Sequence, residues 1–292
     1  MIDLTAPSAV KILMKKHNFR CRKSMGQNFL ADANIVNKII SSASVQKDDV
    51  VVEIGPGLGV ITQAAAMLAK RVIALELDRG LPPILEETLQ GLDNVHIVIG
   101  DAMETNFDNM VKGVADHSGQ YKIIANLPYY ITTPLIMHLI KSRFNISLCV
   151  VMVQQEVAER MAALPGGKDY GALSVAVQYY TEVQYLFKVP GTVFIPRPEV
   201  DSAVVMLVRR SVPPVKTPDE ELFFKIVRGS FGQRRKTLLN SLGAAFPSIS
   251  REKLKFFLLN AGVDPIRRGE TLSLEEFAGI AREIHNSEWV MT

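Results

Sequence analysis

The sequence is poor in the residues that mark secreted and membrane proteins. Its 292 residues include two cysteines, Cys21 and Cys149, and a single tryptophan. The cysteines are far apart, and Cys149 lies in a strand-like apolar run, so two free thiols are expected rather than a disulfide. No apolar stretch is long enough to span a membrane, and the apolar residues near the N-terminus alternate with basic ones instead of forming a signal peptide. These absences predict a cytoplasmic protein without membrane association.

Histidine and net charge are also low. The five histidines are scattered without metal-ligand spacing, so no metal site is predicted. A net charge of +3 is too small to prove nucleic-acid binding, and the distribution of charge is more informative. Basic residues cluster at positions 11–23, 209–210, 234–236 and 267–268. Each cluster alone is typical of a solvated surface, but together they could follow a phosphate backbone. The sequence does not say which cluster contacts it.

The distribution of apolar residues predicts two domains. Strand-like runs alternate with helical patterns up to residue 209, which is typical of a mostly parallel sheet with helices on both faces. The segment 209–218 is rich in proline and predicts a stiff linker. Helices are then expected at 220–230, 234–245, 250–260 and 273–285. We therefore predict an α/β domain over residues 1–209 and a small all-helical domain over residues 210–292.

A glycine-rich turn follows the first buried strand. Residues 50–54 are apolar except for Glu53, and Gly-Pro-Gly-Leu-Gly at 55–59 precedes a helical pattern. Glycine lets a ligand approach the backbone at a helix N-terminus. The next strand ends at Glu76, about 20 residues on, where a carboxylate meets ribose hydroxyls in nucleotide-binding units. The turn lacks the dinucleotide glycine spacing and a basic residue for pyrophosphate, so a nucleoside without phosphates is expected. An NAD-type oxidoreductase remains an alternative.

Carboxylates follow three successive strands. A third strand is expected at 95–100, and Asp101 comes directly after it, where its carboxylate can accept a hydrogen bond from an adenine amine. Together, Glu53, Glu76 and Asp101 predict an acidic pocket, which suits a sulfonium cation better than a pyrophosphate. Any one of them alone could be a solvated loop residue.

Asn-Leu-Pro-Tyr at residues 126–129 ends the next strand-like run. Asn126 supplies an amide oxygen, Pro128 supplies a carbonyl held by the fixed proline φ, and Tyr129 supplies an aromatic face. Two acceptors beside a stacking ring match the flat, weakly nucleophilic exocyclic amine of adenine. The same four residues are also compatible with a simple turn that ends a buried strand.

Six short motifs follow one another along nearly the whole chain. They are Gln-Asn-Phe-Leu at 27–30, Glu-Ile-Gly-Pro-Gly-Leu-Gly at 53–59, Glu-Leu-Asp at 76–78, Gly-Asp-Ala at 100–102, Asn-Leu-Pro-Tyr-Tyr at 126–130 and Phe-Ile-Pro-Arg-Pro at 194–198. This set resembles the KsgA (RsmA) family of S-adenosylmethionine-dependent rRNA adenine N6-dimethyltransferases. The basic run 231–238 resembles a helix start in the C-terminal domain of that family, which favours it over the related Erm family of large-subunit rRNA methyltransferases.

The resemblance implies a fold, a reaction and partners. The fold would be a Rossmann-like class I methyltransferase sheet, and S-adenosyl-L-methionine would be the cofactor. Methyl groups would be transferred to N6 of adenosines in small-subunit (16S) rRNA, with two adjacent adenosines near the 3′ end dimethylated during small-subunit biogenesis. The implied substrate is rRNA in a pre-ribosomal particle, and the implied enzyme is a monomer. An Erm-type enzyme and a noncatalytic ribosome-assembly factor remain alternatives.

The resemblance also implies roles for individual residues. The expected cofactor site consists of Gln27, Asn28, Leu30, Gly55, Gly57, Glu76, Asp101, Ala102 and Asn126. The residues expected to hold the target adenine are Asn126, Pro128, Tyr129 and Phe194, with the two aromatic rings stacking on opposite faces of the base. The residues expected to contact RNA are Arg234, Arg235 and Lys236.

Overall fold

The computed structural model describes residues 2–22, 25–233 and 235–287. The strands in these residues are β1 (Phe29–Leu30), β2 (Val50–Ile54), β3 (Arg71–Glu76), β4 (Val95–Ile99), β5 (Tyr121–Asn126), β6 (Ile146–Gln154), β7 (Thr181–Val189), β8 (Phe194–Ile195) and β9 (Ser202–Arg209). The helices are α1 (Pro7–Lys16), α2 (Ala33–Ser42), α3 (Val60–Ala66), α4 (Pro82–Thr88), α5 (Phe107–Ala115), α6 (Thr132–Lys141), α7 (Gln155–Ala162), α8 (Ala172–Tyr180), α9 (Glu220–Phe231), α10 (Leu238–Ala245), α11 (Arg251–Asn260) and α12 (Leu274–Asn286).

The described strands form a seven-stranded sheet in the order β4-β3-β2-β5-β6-β9-β7. Strands β2 to β6 are parallel, and β9 runs antiparallel to β6. All five residues of β2 are buried. Because alternate side chains point to opposite faces of a sheet, both faces of β2 must be covered. This architecture confirms the predicted α/β fold.

The strand order creates a crevice beside β2. Strands β3 and β4 lie on one side of β2, whereas β5 and β6 lie on the other. In open parallel sheets, ligands bind at such a reversal, outside the carboxyl ends of the strands. The glycine turn 55–59 follows β2, and Asn126 is the last residue of β5. The topology therefore brings these two motifs to the same edge of the sheet.

A second, two-stranded sheet joins distant parts of the chain. Strands β1 and β8 pair antiparallel, with Phe29 opposite Ile195 and Leu30 opposite Phe194. This pairing attaches the N-terminal motif 27–30 to the motif 194–198, although more than half of the chain separates them in sequence.

The chain forms two compact units. The first contains Met1–Ala158 and Glu182–Arg209, and the second contains Glu159–Thr181 and Arg210–Thr292. The second unit thus includes Glu159–Thr181, whereas the predicted boundary after residue 209 assigns this segment to the first domain.

Aromatic packing explains why this segment belongs to the second unit. The ring of Tyr179 on α8 lies 5.0 Å from that of Phe223 and 5.2 Å from that of Phe224, both on α9. Aromatic rings bury large apolar areas, so these contacts contribute strongly to the core of the second unit. Neither the spacing of apolar residues in segment 159–181 nor its composition predicts that it packs against α9.

Three of the four helices predicted after residue 218 lie where the sequence predicts them, namely α9, α11 and α12, but the predicted start of the fourth is wrong. Helix α10 begins at Leu238 rather than at residue 234, because Thr237 is extended, with φ −65° and ψ 157°. Arg235 and Lys236 therefore precede the helix, and Arg234 lies outside the described residues. Ser273 begins α12 with the predicted capping box, completed by Glu276.

Two further expectations concern the cysteines and membrane-spanning segments. Cys21 and Cys149 are free thiols, as predicted. No helix in the described residues combines the length and the apolar character needed to cross a membrane.

Candidate active site

A deep cleft lies at the carboxyl ends of β2 and β5. Its empty volume is about 1100 Å³, measured out to open solvent. Five of the six sequence motifs line it, at residues 25–30, 53–58, 75–77, 100–102 and 126–131. Segments that are distant in sequence thus converge on one concave surface.

The glycine turn brings its backbone to the cleft wall. Gly57 has φ +58°, and a Cβ atom built there would lie 2.9 Å from Cδ1 of Phe29. Gly55 has φ +70°, and its N–H donates to the Leu75 carbonyl at 2.9 Å. Both conformations favour glycine, so the sequence motif has a steric cause.

Glu76 is a buried carboxylate held in place by backbone donors. Its Oε1 accepts a hydrogen bond from Asp78 N at 2.8 Å, and its Oε2 accepts a longer one from Gly57 N at 3.4 Å. Burial raises the pKa of Glu76, and the two N–H donors oppose that rise. The side chain is 6% exposed and lines the cleft, a position from which it can accept hydrogen bonds from ligand hydroxyls.

Gln27 connects the N-terminal motif to the body of the protein. Its Nε2 donates to Asp78 Oδ2 at 2.8 Å, and its Oε1 accepts from Arg22 N at 2.8 Å. Asp78 is 1% exposed and also lies 3.3 Å from Nη1 of Arg22. Asp78 belongs to the Glu-Leu-Asp motif at 76–78, but the sequence alone predicts no role for it. The structure makes it the buried anchor of the segment that covers the cleft.

Four further predicted cofactor residues line the same cleft. Asp101 Oδ1 accepts a hydrogen bond from Met103 N at 2.8 Å, which fixes the carboxylate after β4. Leu30 and Ala102 are buried and contribute apolar surface. Asn28 Nδ2 donates to the Gly26 carbonyl at 3.0 Å, which closes a local turn in the covering segment.

The protonation state of Glu53 differs from the prediction that this residue makes the pocket acidic. It is 1% exposed, and one of its oxygens accepts a hydrogen bond from the Thr62 hydroxyl. Burial raises the pKa of the Glu53 carboxyl to about 8, against the lowering effect of that hydroxyl. The group is therefore mostly neutral at pH 7, so the prediction that Glu53 makes the pocket acidic is wrong. Glu76 and Asp101 remain as the acidic groups of the predicted set.

Glu53→Gln is expected to change how stability depends on pH. Because the folded-state pKa is raised, the folded protein holds a proton that the unfolded chain loses above about pH 4.5. The wild type should thus lose stability as the pH rises from 5 to 8, by about 1 kcal/mol per pH unit from this group. Glu53→Gln should lack that component. Denaturant unfolding at several pH values measures it, with exposed Glu86→Gln as the control. Parallel pH profiles for Glu53→Gln and wild type would contradict the prediction.

The side-chain amide of Asn126 has a defined orientation. Its Nδ2 donates to the Asn28 carbonyl at 3.1 Å, so this atom must be the nitrogen and the other must be the oxygen. Among the residues that the structure describes, none donates to Oδ1, and Asn126 lines the cleft. The hydrogen-bond network therefore leaves an acceptor available to a ligand.

The carbonyl of Pro128 is already engaged. It accepts hydrogen bonds from Ile131 N at 3.2 Å and from Thr132 Oγ1 at 2.9 Å, which use both of its lone pairs. The predicted acceptor role of this carbonyl therefore conflicts with the conformation described. Leu127 also lines the cleft, and within the described residues nothing donates to its carbonyl. The second available acceptor beside Asn126 is thus one residue earlier than predicted.

The two predicted stacking rings lie in different environments. Tyr129 lines the cleft, and its hydroxyl shares a 2.8 Å hydrogen bond with Ser202 Oγ, which fixes the ring. Burial raises the pKa of Tyr129, so its hydroxyl stays protonated. Phe194 is 3% exposed in the hydrophobic core and is not part of the cleft lining. The structure thus brings Tyr129, but not Phe194, to the cleft.

The predicted RNA-contacting residues belong to the second unit. Arg235 and Lys236 are exposed. Arg267, from another basic cluster, instead forms a two-pronged ion pair with Glu276 and donates to the Thr271 carbonyl at 2.7 Å. That arginine therefore stabilises the start of α12.

Comparisons with known proteins agree with this geometry. The small-subunit rRNA methyltransferase A of Moorella thermoacetica is 54% identical over 291 residues, which cover 98% of this chain and 100% of the relative. The protein of the same name from Clostridioides difficile is 46% identical and covers 98% of both chains.

Two solved structures have the same fold. A dimethyladenosine transferase from Plasmodium falciparum matches with a TM-score of 0.72 at 26% identity, covering 88% of this chain and 97% of that one. The 23S rRNA methyltransferase ErmE matches with a TM-score of 0.68 at 25% identity, covering 89% and 100%. Both are methyltransferases, which argues against the oxidoreductase alternative.

The family assignment rests on most of the chain. The model of the family described as ribosomal RNA adenine dimethylase matches residues 18–279, a range that contains all six motifs. This protein belongs to the ribosomal RNA adenine dimethylase family.

Proposed function

We propose that this protein transfers methyl groups from S-adenosyl-L-methionine to N6 of adenosines in small-subunit rRNA. The observation that carries the proposal is the available amide oxygen of Asn126, oriented by the Asn28 carbonyl and set in the same cleft as Glu76. The names of the relatives and of the family support the choice of RNA and base.

The chemistry of the cleft fits the proposed cofactor. Glu76 would accept hydrogen bonds from the ribose hydroxyls, and Asp101 would accept one from the adenine amine. The backbone at Gly55 permits close approach, while Asn28 and Leu30 would cover the methionine end. When bound, S-adenosyl-L-methionine supplies an electrophilic methyl group on a sulfonium cation.

Two acceptors would orient the target amine. Asn126 Oδ1 and the Leu127 carbonyl would each accept one N–H bond, which directs the nitrogen lone pair toward the donor of the methyl group. Tyr129 would stack on the unstacked base, an interaction worth about 1–3 kcal/mol. Phe194 is buried in the conformation described, so stacking on the opposite face would require its ring to become exposed.

Exposed basic residues outside the cleft would also contact the RNA. Exposed Arg235 and Lys236 are suited to phosphate contacts, and the predicted partner Arg234 lies outside the described residues. We further propose a pre-ribosomal particle as the substrate and a monomer as the active form. Phosphate contacts would supply affinity, whereas the cleft would select the base.

The test is methyl transfer to separated ribosomal subunits. The purified protein, incubated with radiolabelled S-adenosyl-L-methionine and unmethylated small subunits, should yield N6,N6-dimethyladenosine in the small-subunit rRNA, as measured by nucleoside analysis. Unmethylated large subunits are the matched control. Label confined to large subunits would indicate an Erm-type enzyme. Binding to small subunits without any transfer would indicate a noncatalytic assembly factor.

A further inference from the structure

The positive charge of the chain is concentrated near its N-terminus. Residues 4–31, the N-terminal basic segment, contain six lysines and arginines and no aspartate or glutamate. The rest of the chain has 27 basic and 30 acidic residues, so the segment accounts for the whole net positive charge. Such asymmetry indicates a polyanionic partner more strongly than the total charge does.

The same segment forms part of the cleft wall. Leu4, Val10 and residues 25–30 line the cleft. Helix α1 buries Val10 and Leu13. Lys11 and Lys15 are exposed on this helix, about one turn or roughly 6 Å apart. The segment therefore carries apolar side chains at the cleft and cationic side chains in solvent.

Some polar side chains anchor the segment. Lys16 and His17 contact the Glu87 carboxylate at 2.7 and 2.8 Å, and Arg22 lies 3.3 Å from Asp78. These contacts hold α1 and the residues after it against α4 and the loop that follows β3. Helix α1 and Arg22 are thus tied to neighbouring elements rather than forming a loose arm.

Other charges have no such structural role. Lys11, Lys15 and Arg20 are exposed, and no acidic side chain among the described residues pairs with them. Lys15 lies in the last turn of α1, where a cation also stabilises the helix dipole. Lys11 lies in the middle of α1 and Arg20 lies beyond its end, so stabilisation of the helix dipole does not account for these two cations.

We propose that the N-terminal basic segment binds the phosphates of single-stranded RNA next to the target adenosine, through Lys11, Lys15 and Arg20. This inference rests on the proposed function, since it assigns part of the RNA interface to the border of the catalytic cleft. A strand whose base enters the cleft passes that border with its flanking phosphates. Cations fixed there would hold the backbone while the base is unstacked.

The test is the salt dependence of RNA binding by full-length protein in which Lys11, Lys15 and Arg20 are all replaced by glutamine. The probe is an unmethylated rRNA fragment that contains the target adenosines. Each lost phosphate contact should reduce the slope of log affinity against log salt by about 0.7, so the triple variant should lose about 2. Affinity for S-adenosyl-L-methionine, measured by calorimetry, should remain at the wild-type value.

The matched control is Lys47→Gln with Lys70→Gln and Lys112→Gln. It removes the same charge from exposed positions in the first unit outside the basic segment. A wild-type slope in the first triple variant, or an equal decrease in both, would overturn the proposal. Lys11→Arg with Lys15→Arg should keep the wild-type slope, since it keeps the charge. Absence of methyl transfer by the wild type, with the slope difference intact, would instead reject the proposed function alone.

Discussion

Asn126→Ala is expected to lower the single-turnover rate of methyl transfer by at least about a hundredfold, the usual effect of losing one positioned polar group. The substitution removes the amide that is oriented by its bond to the Asn28 carbonyl, and with it one of the two proposed acceptors for the target amine. Without that acceptor, the amine keeps its planar, delocalised geometry and is aimed less accurately. The measurement is a quench experiment at saturating RNA and cofactor.

RNA binding provides the internal control for Asn126→Ala. Phosphate contacts outside the cleft should supply most of the affinity, so the RNA dissociation constant should change little. Asn37→Ala, at an exposed position in α2, is the matched variant and should transfer methyl groups at the wild-type rate. Near-normal turnover by Asn126→Ala would remove the Asn-Leu-Pro-Tyr turn from the mechanism and leave it as the end of a strand.

Glu76→Ala is expected to weaken binding of S-adenosyl-L-methionine by roughly 1.5–3 kcal/mol, the range for hydrogen bonds to a charged group. The Glu76 carboxylate is 6% exposed and already positioned by the N–H groups of Asp78 and Gly57. Its removal takes away the proposed ribose acceptor and also leaves these two N–H groups without their partner. Calorimetric titration measures the affinity.

The matched control for this substitution is Glu86→Ala, which removes an exposed carboxylate from the neighbouring helix α4. It should leave cofactor affinity unchanged. Glu76→Gln keeps one acceptor oxygen and should bind with intermediate affinity. Thermal melting of Glu76→Ala should show that the fold survives. Wild-type affinity in a normally folded Glu76→Ala protein would mean that this carboxylate does not contact the ribose.

The local sequence was sufficient to predict the position of a site residue where that residue lies at the end of a recognisable strand. The glycines at 55 and 57 follow a buried strand, and Glu76 and Asp101 end or follow the next two. Parallel strands place their carboxyl ends at one edge of a sheet, so recognising the strands was enough to bring these residues together. The same reasoning placed Asn126 beside them. Their roles toward the cofactor and the base stay predictions until they are tested.

The tertiary structure decided what depends on neighbours that are distant in sequence. Thr132 occupies the Pro128 carbonyl, which transfers the expected second acceptor to Leu127. Burial leaves Glu53 protonated at neutral pH, and pairing of β1 with β8 places Phe194 in the core. The sequence shows which residues carry hydrogen-bonding groups, carboxyls and aromatic rings. Whether a given lone pair is free to accept a hydrogen bond, a carboxyl is charged or a ring is accessible depends on how the chain packs. The sequence alone therefore determined the fold, the family and the edge of the sheet where the cleft lies, whereas only the folded chain determined which of its polar atoms remain available to a ligand.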